Sequence, residues 1–332
     1  MKLFITEPRT EKQSTFFTNR AIAKLKEIGE VNQNPFNHVL TVDELVEVAS
    51  DTDVLLTGWG NVFLTKKDLE RMPKLKLIAH TGGSIANLIA DDVYELGIPI
   101  LSGNNIFAKS VAEGCLCYTL AALRKIEHYG QMMRHGEWRE DDPHNSGLIG
   151  KKIGIVGFGT ISKLYLELIR WFDCEVLIYS SHLEEEVAQK YGGRKADLDE
   201  IFSTCDIVSI HSSLREKTKG MITRELMMKL KSDALLVNTA RGAVIDEEAL
   251  FELLIQGRFY AALDVFVNEP LDADHPIRRC QNALLIPHMG GPTMDMREVV
   301  ALELAEDIER WKNGKILKHA VPHEHMQRMT KE

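Results

Sequence analysis

Short apolar runs separated by helical stretches recur along this chain, and that alternation constrains its fold more than any other feature. Residues 54–56, 77–79 and 98–101 read as buried strands, with helices at 66–71 and 91–96 between them. The opening segment MKLFITEPRT reads as a first strand. Such a rhythm builds a parallel sheet with helices on its faces, because parallel neighbours need a crossover between them. A long helix is expected over about 110–126, with Val111, Cys115, Tyr118 and Ala122 on one face. It carries few charges until Arg124, so it should be largely buried and can link two domains. The rhythm then restarts, with strands at 152–156, 175–179, 206–211, 234–238, 261–265 and 283–286. The chain has 332 residues, too many for one ordinary core and enough for two. Two successive α/β domains follow, and an amphipathic helix at 299–311 is expected to fold back onto the first.

Composition limits what the chain can meet. Hydrophobic residues make up 44% and charged residues 27%, which suits a globular protein with a sizeable core. The net charge of -9 argues against nucleic acid or an acidic membrane surface as partner. No apolar run approaches the roughly 20 residues of a membrane helix, and the N-terminus has no small-residue cleavage site. A cytoplasmic location is therefore expected. The five cysteines are odd in number and widely spaced, which argues for reduced thiols. Cys115 and Cys117 should face different sides of a helix and make no zinc site. Among the twelve histidines no metalloprotease pair occurs, so no metal is expected. The tail cluster His319, His323 and His325 reads as a solvated terminus.

The second half opens on a glycine turn. Strand 153–156 runs into Gly157-Phe158-Gly159-Thr160-Ile161-Ser162 and then a helix over 161–171. This is the context of a dinucleotide fingerprint. Gly157 allows the turn, and Gly159 lets the backbone approach a pyrophosphate. The amides of Thr160 and Ile161 can hold phosphate oxygens at the helix N-terminus. Ser162 stands where a third glycine is usual. The next strand ends at Tyr179-Ser180-Ser181-His182, where an acid would hold the adenosine ribose. Neither an acid nor an arginine is at that tip. Glu184, Glu185 and Glu186 should repel a 2′-phosphate, which favours NAD and leaves NADP open.

Three ordered segments then carry a family resemblance. Residues 236–246, LVNTARGAVID, resemble the catalytic-arginine segment of the D-isomer-specific 2-hydroxyacid dehydrogenases. Residues 262–270, ALDVFVNEP, resemble the segment with the family's catalytic glutamate, and 286–291, IPHMGG, its catalytic-histidine segment. The stretch 149–159 is similar to the family's approach to the nucleotide turn, and Ser110-Val111-Ala112-Glu113 to the start of its interdomain helix. The similarity runs from about Ile78 to Pro292. One departure lies in the first-domain substrate loop, Thr81-Gly82-Gly83-Ser84-Ile85-Ala86-Asn87, where Ala86 replaces an acid. Another is 292–296, PTMDM, in place of a run of small residues.

The resemblance implies two domains of Rossmann or flavodoxin-like type, with the active site in the cleft between them. A cofactor domain would span 103–292. A discontinuous substrate domain would span 1–102 plus 293–332. It implies a dimer, to which the segment 134–142 with Trp138 could contribute. It also implies hydride transfer to or from C2 of a small D-2-hydroxy acid or 2-oxo acid of the glyoxylate, hydroxypyruvate or pyruvate type.

The residue types suit that chemistry. Arg241 can hold a carboxylate through two points and polarise a carbonyl, although an arginine here can also just cap a strand end. Histidine is the side chain suited to proton transfer near neutral pH, and His288 follows Pro287 at a strand end. Glu269 is its expected partner, since a nearby carboxylate favours imidazolium. The backbone amides of Gly83 and Ser84 are candidates for the substrate carboxylate, with Arg241 and His288. The pocket for the C3 substituent should lie around Trp59 and 82–84. By resemblance Asp264 holds the nicotinamide carboxamide. Ser180, His211, Ser213, Thr218, Thr239, Ala240, Arg241, His288, Gly290, Ser110 and Val111 are assigned near the cofactor. His211, Ser213, Thr218, Ser110 and Val111 can equally be ordinary loop or cap residues. Two alternatives stay open: a non-enzymatic NAD(H) sensor of the same family, and shifted chemistry such as oxidation of phosphite or formate.

Overall fold

The computed structural model describes residues 1–139 and 145–331, and it divides into two units. One comprises Met1–Phe107 with Pro292–Glu332, the other Ala108–Gly291.

In the first unit five strands form a parallel sheet: β1 (Lys2–Ile5), β2 (Glu30–Gln33), β3 (Val54–Thr57), β4 (Leu77–His80) and β5 (Ile100–Ser102), ordered β2-β1-β3-β4-β5. This is the flavodoxin-like order, whose ligand edge is the carboxyl end of the strands. Side chains alternate between two cores. Phe4, Leu55 and Ile78 enter one cluster, while Leu3, Ile5, Leu56 and Ala79 enter the other. Both faces of the sheet are therefore covered, as a parallel sheet requires. The helix Met294–Lys312 packs here on Glu11–Phe16 and Asn19–Ile28, burying Val300, Leu304 and Ile308.

Seven parallel strands form the second unit: β6 (Lys152–Val156), β7 (Glu175–Tyr179), β8 (Gly193–Lys195), β9 (Ile207–Ile210), β10 (Leu235–Asn238), β11 (Tyr260–Leu263) and β12 (Ala283–Leu285). Their order is β12-β11-β10-β9-β6-β7-β8. The order reverses between β6 and β9, which makes that pair the switch point where α/β sheets bind ligands. Gly154 on β6 is required by packing, because a Cβ there would stand 2.3 Å from Ile201.

The structure corrects several sequence expectations. The long helix runs Asn104–Leu123, starting about six residues early because the Ser102 hydroxyl accepts the Asn104 amide at 3.1 Å. Its buried face is Ala108, Ala112, Cys115 and Thr119; of the expected face only Cys115 is buried, while Val111, Tyr118 and Ala122 are half-buried. Contrary to the reading of the apolar runs, this helix is long and apolar enough to cross a membrane. One face of it enters the core through Ala112 and Cys115, while Lys109 and Glu113 are exposed. The tail is a solvated terminus only in part: His323 is exposed and His325 half-buried. Val321, Met326 and Met329 join the first unit's core, and His319 is buried with Nε2 at 3.0 Å from Glu303. Among the described residues no cluster of metal-ligating side chains occurs. Of the proposed dimer segment, Trp138 is 73% exposed, and residues 140–142 lie outside the described residues.

Candidate active site

The glycine turn sits at the switch point. Gly157 has φ 103°, and a Cβ on it would stand 2.6 Å from the Ser212 amide, so only glycine fits. Nothing stands within 4 Å of a Cβ built on Gly159, which leaves that side of the turn open. The helix Thr160–Ile169 starts at once, so the Thr160 and Ile161 amides have no intrahelical acceptor. Ser162 does more than fill a small space. Its hydroxyl accepts from the Gly159 amide at 2.8 Å and donates to the Gly159 carbonyl at 3.0 Å. Sequence reading missed this tie. At the β7 tip Ser180 is partly buried, and no carboxylate among the described residues bonds to it.

Beside the turn, His211 has Nε2 at 2.9 Å from the Ser209 hydroxyl, which is itself 3.4 Å from Cys115 Sγ. Desolvation pushes this imidazole down to about 4, so it stays neutral at pH 7. Burial likewise pushes Cys115 up to about 11. The Thr218 hydroxyl donates to the Ser213 carbonyl at 2.7 Å and accepts from the Arg215 amide at 2.9 Å, so it ties the loop together. Thr239 is nearly buried, and its Oγ1 meets no hydrogen-bond partner among the described residues.

Three loops at the carboxyl ends of β10, β11 and β12 carry the proposed catalytic side chains. Asn238, at the tip of β10, shapes the first: its Oδ1 accepts from the Ala240 amide and its Nδ2 donates to the Arg241 carbonyl, both at 3.0 Å. Arg241 Nη1 donates to the Ala240 carbonyl at 2.8 Å. Gly242 is obligatory, because a Cβ would fall 2.3 Å from the Phe266 backbone. In the next loop the Glu269 carboxylate accepts from the Phe266 amide at 2.9 Å with one oxygen. The other oxygen lies 2.6 Å from His288 Nδ1. Glu247 braces the same loop, accepting from the Val267 amide at 2.7 Å.

His288 has φ 53°, the left-handed region. Asp264 holds it there. The Asp264 carbonyl accepts from the His288 amide at 2.9 Å, while its carboxylate accepts from Met289 at 2.7 Å and Gly290 at 2.8 Å. Three consecutive amides thus end on one residue. Burial pushes the Asp264 carboxyl up, against the pull of the two amides. Gly290 leaves no room for a side chain, since a Cβ would stand 2.6 Å from Asp264 Oδ2. The same Cβ would approach Tyr118 at 3.8 Å, which brings the helix carrying Ser110 and Val111 alongside. The His288 side chain remains 46% exposed, and its other ring nitrogen has no hydrogen-bond partner among the described residues.

In the first unit, the loop after β4 is pinned by its carbonyls. The Ser102 hydroxyl bonds to the carbonyls of Gly82 at 3.1 Å and Gly83 at 2.6 Å. The Gly83 and Ser84 amides donate to nothing among the described residues. Ser84 Oγ donates to the Thr330 carbonyl at 2.9 Å, so the tail braces the loop. Gly82 gives way to His80, whose Nε2 would lie 2.3 Å from a Cβ there. His80 is buried against Thr57, and burial pushes it down to about 4.

Residues 116–290 match the family model described as "D-isomer specific 2-hydroxyacid dehydrogenase, NAD binding domain". The chain belongs to this dehydrogenase family. It is 34% identical over 275 residues to a hydroxypyruvate reductase of Thermotoga maritima, covering 81% of this chain and 88% of that one. It is 32% identical over 323 residues to a D-3-phosphoglycerate dehydrogenase of Methanocaldococcus jannaschii, covering 97% of this chain and 59% of that protein. Among solved structures it resembles an acyclic imino acid reductase in complex with NADPH and D-Arg. That match has a TM-score of 0.79, 26% identity, and 97% and 100% coverage. A dehydrogenase of this family needs a nicotinamide cofactor, and the second unit fits one. The open cradle over Gly159 with two unused helical amides suits a pyrophosphate. Residues 157–161 and Ser180 would hold the adenosine half.

Proposed function

We propose that this chain is an NAD(P)-dependent oxidoreductase acting on C2 of a small D-2-hydroxy acid or its 2-oxo counterpart, of the glyoxylate, hydroxypyruvate or pyruvate type. The observation that carries the reading is the 2.6 Å contact of Glu269 with His288 Nδ1, beside the Arg241 loop. With Nδ1 occupied by the carboxylate, Nε2 is the nitrogen that holds a proton for the substrate oxygen. Arg241 would orient the substrate carboxylate and polarise the carbonyl, and in the first unit, taken by itself, the Gly83 and Ser84 amides are suited to a carboxylate. The bound nicotinamide supplies or takes the hydride at C2. In the reducing direction a protonated His288 gives its proton to the carbonyl oxygen, is left neutral, and regains a proton from solvent before the next turnover, while Glu269 holds the ring through Nδ1. His80 and His211 are unsuited to this task, because both stay neutral at pH 7.

The test is a panel of glyoxylate, hydroxypyruvate, pyruvate and larger 2-oxo acids with NADH and NADPH. Oxidation of the cofactor by at least one acid is expected. A protein that bound NADH tightly and turned over none would instead be a sensor.

A further inference from the structure

In the first unit, near the Gly83 loop, stands an arginine that forms no ion pair among the described residues, with the buried Glu7 packed on the neighbouring Gly58. Arg297 lies in the first turn of the helix Met294–Lys312. Its guanidinium stands 5.7 Å from the ring centroid of Phe16 and 5.6 Å from that of Trp59. Those two rings meet edge to face at 5.2 Å. Phe107 joins them, 5.7 Å from Trp59 and 6.5 Å from Phe16. Phe107 in turn lies 3.9 Å from the place of a Cβ on Gly83. A continuous row of rings therefore leads from the substrate-carboxylate loop to Arg297.

The arginine is poorly compensated. Its one hydrogen bond among the described residues is from Nη1 to Thr15 Oγ1 at 3.3 Å, and its Nε is buried with no acceptor. The adjacent acid, Glu298, is taken by Thr18 and Arg20. Arg297 is only partly buried, but shielding its Nε from water without an acceptor is unfavourable, and stacking on two rings returns only part of that cost. An arginine in such a setting is built to receive a carboxylate or phosphate.

We propose that Arg297 binds a second, distal anionic group of the substrate, a carboxylate or phosphate, while the Gly83 and Ser84 amides hold C1. Trp59 and Phe107 then flank the carbon chain between the two anions. This assignment rests on the function proposed above. It places the preferred substrates among 2-oxo acids that carry two negative groups, ahead of pyruvate or an aromatic 2-oxo acid.

The test compares kcat/KM for 2-oxoglutarate and phosphohydroxypyruvate with that for pyruvate and phenylpyruvate. Alongside it, calorimetry measures 2-oxoglutarate binding to protein saturated with NADH. At least one doubly anionic acid should exceed pyruvate and phenylpyruvate by about tenfold or more. Arg297→Gln should cut that ratio by about tenfold, chiefly through KM, and Arg297→Lys should keep part of it. A preference for pyruvate or phenylpyruvate, or an unchanged ratio in Arg297→Gln, overturns the assignment. If no acid is turned over, the hydride-transfer reading fails, and calorimetry still decides here. Binding lost in Arg297→Gln supports the anion site, and equal binding by wild type and variant, or none by either, overturns it.

Discussion

At the scale of the residue, the account rests on how Glu269 and Asp264 hold His288. Glu269 fixes the ring through Nδ1, and Asp264 collects the amides of 288, 289 and 290. His288→Ala should lower kcat by about 10²–10⁴ while NADH affinity, followed by fluorescence titration, stays within about threefold. Unchanged turnover would mean that another group donates the proton. Gly290→Ala should be disproportionately harmful for one methyl group, costing about 1–3 kcal/mol in stability by denaturant titration, because Asp264 has nowhere to move. The residues of the three loops were legible in the sequence, since three family-like segments in order leave little freedom. Their supports were not. Nothing in the string LDVF says that Asp264 ends on backbone amides, and Ser162 read as a small filler although its hydroxyl bridges both backbone groups of Gly159.

Elements repeat the same lesson. Strands with buried apolar runs, such as β6 and β7, matched the sequence reading residue for residue. β2 and β8 escaped it, because both are edge strands, and EVNQ and GRK carry no apolar run. The start of the long helix escaped as well, since its cap is the Ser102 hydroxyl one residue beyond β5. That hydroxyl also pins the Gly82 and Gly83 carbonyls. Ser102→Ala should therefore raise KM for the 2-oxo acid several-fold with a smaller change in kcat, read from steady-state kinetics. At the β7 tip, Ser180 offers neither charge repulsion nor a salt bridge to a 2′-phosphate. Ser180→Asp should shift the NADH-to-NADPH ratio of kcat/KM toward NADH by about tenfold, as the ribose acid of dinucleotide folds does. No shift would place the ribose elsewhere.

For the molecule as a whole, buried histidine links folding to pH. His80 is held near 4 by burial, while an unfolded histidine titrates near 6.5. Between these values the unfolded chain binds the proton and the native one does not, so stability falls as pH drops from about 6.5 to about 4. Thermal melts at pH 7 and pH 5 should show part of this loss, on the order of 2 kcal/mol from His80. His80→Gln should flatten the pH dependence relative to wild type. The central claim, however, is chemical, and isotope transfer tests it most directly. NADH or NADPH deuterated on the transferred face is supplied with the best 2-oxo acid, and the product is examined by mass spectrometry and chiral chromatography. The account predicts one deuterium at C2 of the D-hydroxy acid. A product of L configuration, or one with no deuterium at C2, would contradict it.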